Sequence, residues 1–282
     1  MRSAIFACFV GVLFSIIAPP AHAQTAECDK LSGEQRKAAQ EILASQHPYD
    51  CCDDTIAACL KQKTVCALAV RLANNICRRI AKKQPKQQIV RALSRRARTM
   101  LQSGSKVKID LAGLPVAGDP KAPVTLVEYA CARCPYCGKT TPEIYDAVVS
   151  GRLKGKVKLY FKIFPIRSHE FSKETGLGFM AAVKLGRFWP FLLHSYKHFH
   201  DFCVLKQADW AMSAGMEREA FEQTVADPVT RELLVNSKKE GIVNKVDATP
   251  TFFINGRKYM AEINAEELID VLEEEYERGN GR

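Results

Sequence analysis

The chain has 282 residues and a formal net charge of +10, with 47% hydrophobic residues, 26% charged residues and 11 cysteines. That balance excludes a disordered or fibrous chain, and the length suits one large domain or two smaller ones. Residues 24–105 hold 15 Lys/Arg against 7 Asp/Glu, so nearly all the excess positive charge lies in the N-terminal third.

The N-terminus reads as a signal peptide over 1–23. Arg2 precedes an apolar run, Ala4 to Ala18, which Pro19-Pro20 breaks, and Ala21-His22-Ala23 has the small-x-small form of a cleavage site. Fifteen residues are short of the ~20 that span a bilayer, which disfavours an uncleaved anchor. Export predicts a periplasmic protein in an oxidising space, where disulfides persist. An exported chain meets little nucleic acid, so no nucleic-acid partner is expected. The basic third suits an anionic envelope surface, an acidic partner or simply a solvated helical face.

Residues 24–101 read as an all-α cysteine-rich domain. Ser32 with Gln35 has the form of a capping box before "EQRKAAQEILAS". Thr55 to Leu60 suggests a short helix. "CALAVRLANNICRRIAKK" repeats its apolar residues at helical period, and Pro85 is placed to open a further helix through Met100. Six cysteines fall here: Cys28, Cys51, Cys52, Cys59, Cys66 and Cys77. Cys66 and Cys77 on one helix would stand roughly 16 Å apart at about 1.5 Å per residue. A disulfide needs Cα atoms within about 7 Å, so these two must bond to other segments. A Cys51–Cys52 pair is sterically awkward. Up to three bridges are expected, stapling a domain too small for a large core.

"QSGSK" (102–106) reads as a linker, and 107–282 as an α/β domain. "KVKIDL" (106–111) alternates like a strand, and "LPVAGDPKAP" is rich in turn residues. "VTLVEYA" (124–130) is a buried strand, followed at once by "CPYCGKTTPEIYDAVVSG", a helix that begins at the cysteines. "KVKLYFKIFPI" (156–166) is the next strand. A helical insertion spans about 168–242. "ATPTFFING" (248–256) and "RKYM" form a hairpin across Asn255-Gly256, and "NAEELIDVLEEEYERG" closes the chain as a helix.

Cys134 and Cys137 lie one helical turn apart at a helix N-terminus, whose unpaired N–H groups and partial positive charge favour thiolate over thiol. Such a pair suits thiol–disulfide exchange. The competing reading is a copper- or zinc-binding clip of Cys131, Cys134 and Cys137, with or without the N-terminal cysteines. His194 and His198, at i and i+4 beside His200 and Cys203, admit metal binding, weighed against packing. Lys158 and Lys162 alternate on a strand and are expected to be solvated. Subtracting the active pair and the six N-terminal cysteines leaves Cys131 and Cys203, either bridged or free.

"GDPKAPVTLVEYACARCPYCG" together with "VDATPTFFING" resembles the DsbA-like branch of the thioredoxin superfamily, exported thiol–disulfide oxidoreductases. The resemblance covers about 106–278 and implies a thioredoxin-like fold with a helical insertion, working without a cofactor or metal. It makes Cys134 the exposed nucleophile, Cys137 the buried resolving cysteine, and Thr249-Pro250 a cis-proline loop that pairs with substrate backbone. Glu128, six residues before Cys134, takes the place of a buried acid that receives a proton from Cys137. Implied partners are proteins carrying thiols or disulfides and a membrane redox partner. Thr before the cis-proline resembles the isomerase or reductase members, whereas Val stands in the best-known oxidase type. Isomerases also carry an N-terminal extension that makes them oligomers, so self-association through 24–101 is expected.

The N-terminal stretch faintly resembles CcmH-type three-helix domains through "TIA", "LAVRL" and "IVRALSRRA". In that alignment Cys51 matches the second redox cysteine and Pro48 stands where the first should be. The C-x-x-C is absent, which favours the fold of that family over its chemistry. A disulfide-stapled structural domain and a second redox pair feeding Cys134 both stay open.

Overall fold

A computed structural model describes residues 25–101 and 105–280. The signal-peptide reading of 1–23 lies outside the described residues, as does most of the 102–106 linker. The chain divides into two compact units, the first ending at Lys86 and the second starting at Gln87.

The first unit contains helices α1 (Ala26–Asp29), α2 (Gly33–Leu43), α3 (Ile56–Cys59) and α4 (Ala67–Ala81). Apolar residues at helical spacing on α4 (Leu68, Leu72, Ile76 and Ile80) are buried, as are Leu31 and Ile42 at the two ends of α2. Ser32 is the N-cap of α2 without a side-chain bond. Its carbonyl, not its hydroxyl, receives the Gln35 amide at 3.1 Å, so the capping box does not form. Thr55 caps α3 as its side chain allows, its hydroxyl accepting from the Ala58 amide. Three disulfides close all six cysteines: Cys28–Cys77, Cys51–Cys66 and Cys52–Cys59, with Cα separations of 5.0, 6.2 and 6.2 Å. Each staple contributes about 2–4 kcal/mol by restricting the unfolded chain.

The second unit is α/β. It begins with α5 (Lys86–Met100), whose first residue ends the first unit. The sequence grouped this helix with the cysteine-rich domain. In the structure Arg96, fully buried, donates to Asp270 and Glu274 at 2.8 Å each, and both acids lie on the closing helix α12 (Ala265–Asn280). A guanidinium taken out of water needs such partners, and they tie α5 to the C-terminal unit.

The sheet contains β1 (Val116–Ala117), β2 (Val124–Ala130), β3 (Val157–Ile163), β4 (Thr251–Ile254) and β5 (Arg257–Lys258) in the order β1-β3-β2-β4-β5. β2 and β3 are parallel, with Val124 opposite Val157, and α6 (Pro135–Val149) makes the crossover between them. β4 runs antiparallel to β2, pairing Glu128 with Phe252. β2 is thus central and apolar on both faces, as a doubly covered strand must be. Asn255 and Gly256 turn β4 into β5 with φ of 49° and 80°, the left-handed pair that a two-residue hairpin requires.

Two expectations need correction. Residues 106–111 form no strand. Val107 donates to the Gly256 carbonyl, Asp110 to the Glu240 carboxylate, and the Asp110 carbonyl accepts from Lys162. Its alternation still has a physical basis, because Val107, Ile109 and Leu111 pack on Val127, Tyr129 and Phe253. Conversely, the turn-rich stretch after it contains edge strand β1. Gly118 follows with φ +82°, where a Cβ would meet Val148 at 2.6 Å and the Val157 carbonyl at 2.9 Å.

Between β3 and β4 come α7 (Ser172–Lys184), α8 (Phe188–Lys197), α9 (Gln207–Ser213), α10 (Arg218–Ala226) and α11 (Pro228–Val243). Phe161 of β3 meets Phe179, Phe188 and Trp189 of the insertion with ring centroids 5.0–6.3 Å apart.

Arg96→Met removes a buried guanidinium from two buried carboxylates. We expect a loss of about 3–5 kcal/mol, read from denaturant unfolding by the fluorescence of Trp189 and Trp210, which both lie in the C-terminal unit.

Candidate active site

β2 ends at Ala130, and residues 131–134 make a turn in which the Cys134 amide donates to the Cys131 carbonyl at 3.0 Å. Cys134 is the N-cap of α6 and Pro135 occupies the first helical position, where its missing N–H costs nothing. The Thr249–Pro250 bond is cis, and the Cys134 thiol donates to the Thr249 carbonyl at 3.2 Å. Sequence reasoning expected an exposed sulfur. Cys134 is instead only 1% exposed, because it packs against the Thr249–Pro250 loop, while the next aromatic residue, Tyr136, is 70% exposed.

The two cysteines differ sharply in acidity. A hydrogen bond from the Cys137 thiol pulls the Cys134 pKa down to about 5 against the opposing effect of burial. The Thr249 hydroxyl, with no other partner among the described residues, and the Tyr136 and Cys137 amides act in the same direction. Cys137 is pushed well above its ordinary value by burial, by the same bond to Cys134 and by Glu128.

Glu128 is fully buried at the middle of β2, and burial raises its pKa to about 8. One carboxyl oxygen accepts from the Thr141 hydroxyl at 2.6 Å; the other has no hydrogen-bond partner among the described residues. Cys137 and Thr141 are four residues apart on α6 and so share the face that covers β2. A carboxyl desolvated by burial stays protonated near neutrality, and only its ionised form can take up a proton. The structure therefore brings Cys134, Cys137, Glu128, Thr249 and Pro250 together around one helix terminus.

The family model described as thioredoxin matches residues 112–274, more than half of the chain. This chain belongs to the thioredoxin family. The thioredoxin-family unit is similar in fold to BdbD from Bacillus subtilis (TM-score 0.54, 22% identity, covering 61% of this chain and 97% of that one). It is also similar to the thiol-disulfide exchange protein alpha-DsbA2 from Wolbachia pipientis (TM-score 0.51, 18% identity, 68% and 98%). Among curated proteins it is 30% identical over 161 residues to the Na(+)/H(+) antiporter NhaA 1 of Mycolicibacterium gilvum (strain PYR-GCK). That match covers 56% of this chain, which spans about a quarter of the length of the antiporter.

The three-thiolate metal clip is not supported in this thioredoxin-family site. Among the described residues no three His, Cys, Asp or Glu side chains converge to hold a metal. Cys131 faces His169, with sulfur and Nδ1 3.4 Å apart, while Cys134 faces Thr249. Cys131 and Cys203 are both free, the first buried and the second exposed. His194 and His198 stack on each other at 4.6 Å and both lie against Trp210. Lys162 is buried rather than solvated, turned to Glu240 and the Asp110 carbonyl, and Lys158 reaches the Pro120 carbonyl.

Sequence reasoning missed four residues. Thr141 was findable from its spacing to Cys137. Arg133 (its guanidinium 4.5 Å from both the Phe199 and Phe202 rings, and bonded to the Phe199 carbonyl), Tyr196 (donating to the Cys131 carbonyl) and His169 depend on the course of the insertion and leave no local signal.

Two pH effects follow. In the reduced protein, alkylation of Cys134 should rise with a midpoint near pH 5, followed by thiolate absorbance and lost in Cys134→Ser. In the oxidised protein burial still holds the Glu128 pKa up. A raised acid pKa leaves stability full below the unfolded value of 4.5 and erodes it as pH climbs through about 8. Glu128→Gln should flatten that decline in thermal unfolding measured across the interval.

Proposed function

We propose that this chain is an exported thiol–disulfide oxidoreductase acting on the thiols and disulfides of other proteins. The observation that carries the reading is the acidity split across one turn of α6, with Cys134 at about 5 and Cys137 well above its ordinary value. At neutral pH Cys134 is a thiolate and Cys137 a thiol, the state from which exchange begins.

Cys134 attacks a substrate disulfide, and one substrate sulfur leaves as a thiolate. In the resulting mixed disulfide Cys134 has no proton to offer the Thr249 carbonyl. That carbonyl can then accept a backbone amide of the substrate, so the Thr249–Pro250 loop receives the peptide as a short strand. Cys137 passes its proton to the ionised form of Glu128, the minority form near neutral pH, and attacks Cys134. The Cys134–Cys137 disulfide forms and the second substrate thiol is released. The reverse sequence donates a disulfide. No cofactor or metal enters either direction.

Thr249 supports the reductase or isomerase direction, and the reading leans there. The stabilised Cys134 thiolate pulls the other way, since a stabilised reduced form makes the disulfide more oxidising. A reduction potential, together with refolding of a scrambled substrate, decides between them. The further assignments are a membrane redox partner, no nucleic acid, self-association through the disulfide-stapled N-terminal unit, and a periplasmic location reached through residues 1–23. No helix among the described residues is long and apolar enough to cross a membrane.

Cys134→Ser should abolish insulin reduction, and Cys137→Ser should accumulate mixed disulfides visible on non-reducing gels. A Cys134→Ser protein with the wild-type rate would move the chemistry to another pair.

A further inference from the structure

Among the described residues Cys131 is the one buried free thiol that the mechanism above leaves unused. It lies three residues before Cys134, across the turn closed by the Cys134 amide and the Cys131 carbonyl. The first and last Cα atoms of a β-turn lie within 7 Å, which is also the range that a disulfide spans. Both ends of the turn are fixed. The Tyr196 hydroxyl donates to the Cys131 carbonyl at 3.3 Å, and Arg133 is clasped between Phe199 and Phe202 while bonding the Phe199 carbonyl at 2.7 Å. The Cys131 sulfur faces His169 Nδ1 at 3.4 Å, and His169 is half-buried, so the ring joins the thiol to solvent. Burial raises the Cys131 pKa, and Lys238, held by the Pro165 carbonyl and the Phe164 ring, opposes that in part. Cys131 and Cys134 are both buried, but Cys134 is the acidic sulfur and so the one that a disulfide engages first.

We propose that Cys131 is an alternative resolving thiol, which closes on Cys134 in place of Cys137 and parks the enzyme as a Cys131–Cys134 disulfide. The proposal rests on the reading of Cys134 as the nucleophile. Starting from a mixed disulfide at Cys134, the Cys131 proton passes to His169 and the thiolate attacks Cys134 Sγ. The Cys131–Cys134 bond forms, the bond to the substrate sulfur breaks, and the departing thiolate takes up the proton. Two electrons pass from the Cys131/Cys134 pair to the substrate disulfide, and no other oxidant or reductant takes part. Cys137 stays a thiol beside protonated Glu128. Reopening requires a thiol to attack Cys131–Cys134, so the parked form is regulated by the reducing power of the surroundings.

The test uses full-length protein with the exposed Cys203 changed to Ser throughout. Cys137→Ala and Cys137→Ser proteins are treated with oxidised glutathione, quenched in acid and digested with trypsin without reduction. Trypsin cuts after Arg133, between the two cysteines. The expected result is loss of both thiols, no retained glutathione, and a segment ending at Arg133 joined to one beginning at Cys134. Adding Cys131→Ala should leave glutathione on Cys134, and adding His169→Ala should slow closure. A stable glutathione adduct on Cys134 in both single-site proteins overturns the alternative resolving role and leaves the nucleophile standing. No reaction at Cys134 in any of the proteins overturns both readings.

Discussion

The site depends on a carboxyl group buried in the middle of the sheet. Glu128 lies in the central strand, hydrogen-bonded in register to strands on both sides and covered by α6, with one oxygen satisfied by Thr141. Moving a charge into such a place costs several kcal/mol, so the group stays neutral until the pH approaches 8. Only the ionised form, a minority below that pH, can take a thiol proton, and it does so when the exchange is drawn downhill. Attack by Cys137 on a mixed disulfide provides that pull, because it consumes the thiolate as it forms. The sheet thus supplies a proton site that is silent at rest and available during resolution.

The same economy governs the dithiol. α6 begins at Cys134, so that sulfur lies at the positive end of the helix while Cys137, one turn inside, lies among apolar side chains. Two identical functional groups three residues apart acquire opposite tendencies from position alone. The Thr249–Pro250 loop completes the asymmetry by contacting one sulfur and not the other.

Much of this was legible in the sequence. The β2 strand, the start of α6 at the cysteines, the Asn255-Gly256 hairpin and the closing helix each have strong local signals, and the structure has all of them. The resemblance to DsbA-like proteins added the cis bond and the acid at Glu128. Local pattern failed where partners come from far along the chain. Residues 106–111 alternate like a strand, but their backbone groups find Glu240, Asn244 and Lys162 before they find a ladder. Arg96 looked like one more cation on a basic helix, and only Asp270 and Glu274, more than 170 residues on, make it a buried anchor. Expecting an exposed Cys134 took the sulfur's reactivity for accessibility, whereas the structure holds it beneath a loop.

The adjacent cysteines at 51 and 52 face different partners, Cys66 and Cys59. Exchanging those partners moves each bond by a single residue, so the nearest wrong pairing is a close neighbour of the right one among the 15 that six cysteines allow. A chain of this design therefore has to discriminate, while it folds, between two bridge patterns that differ by a single position.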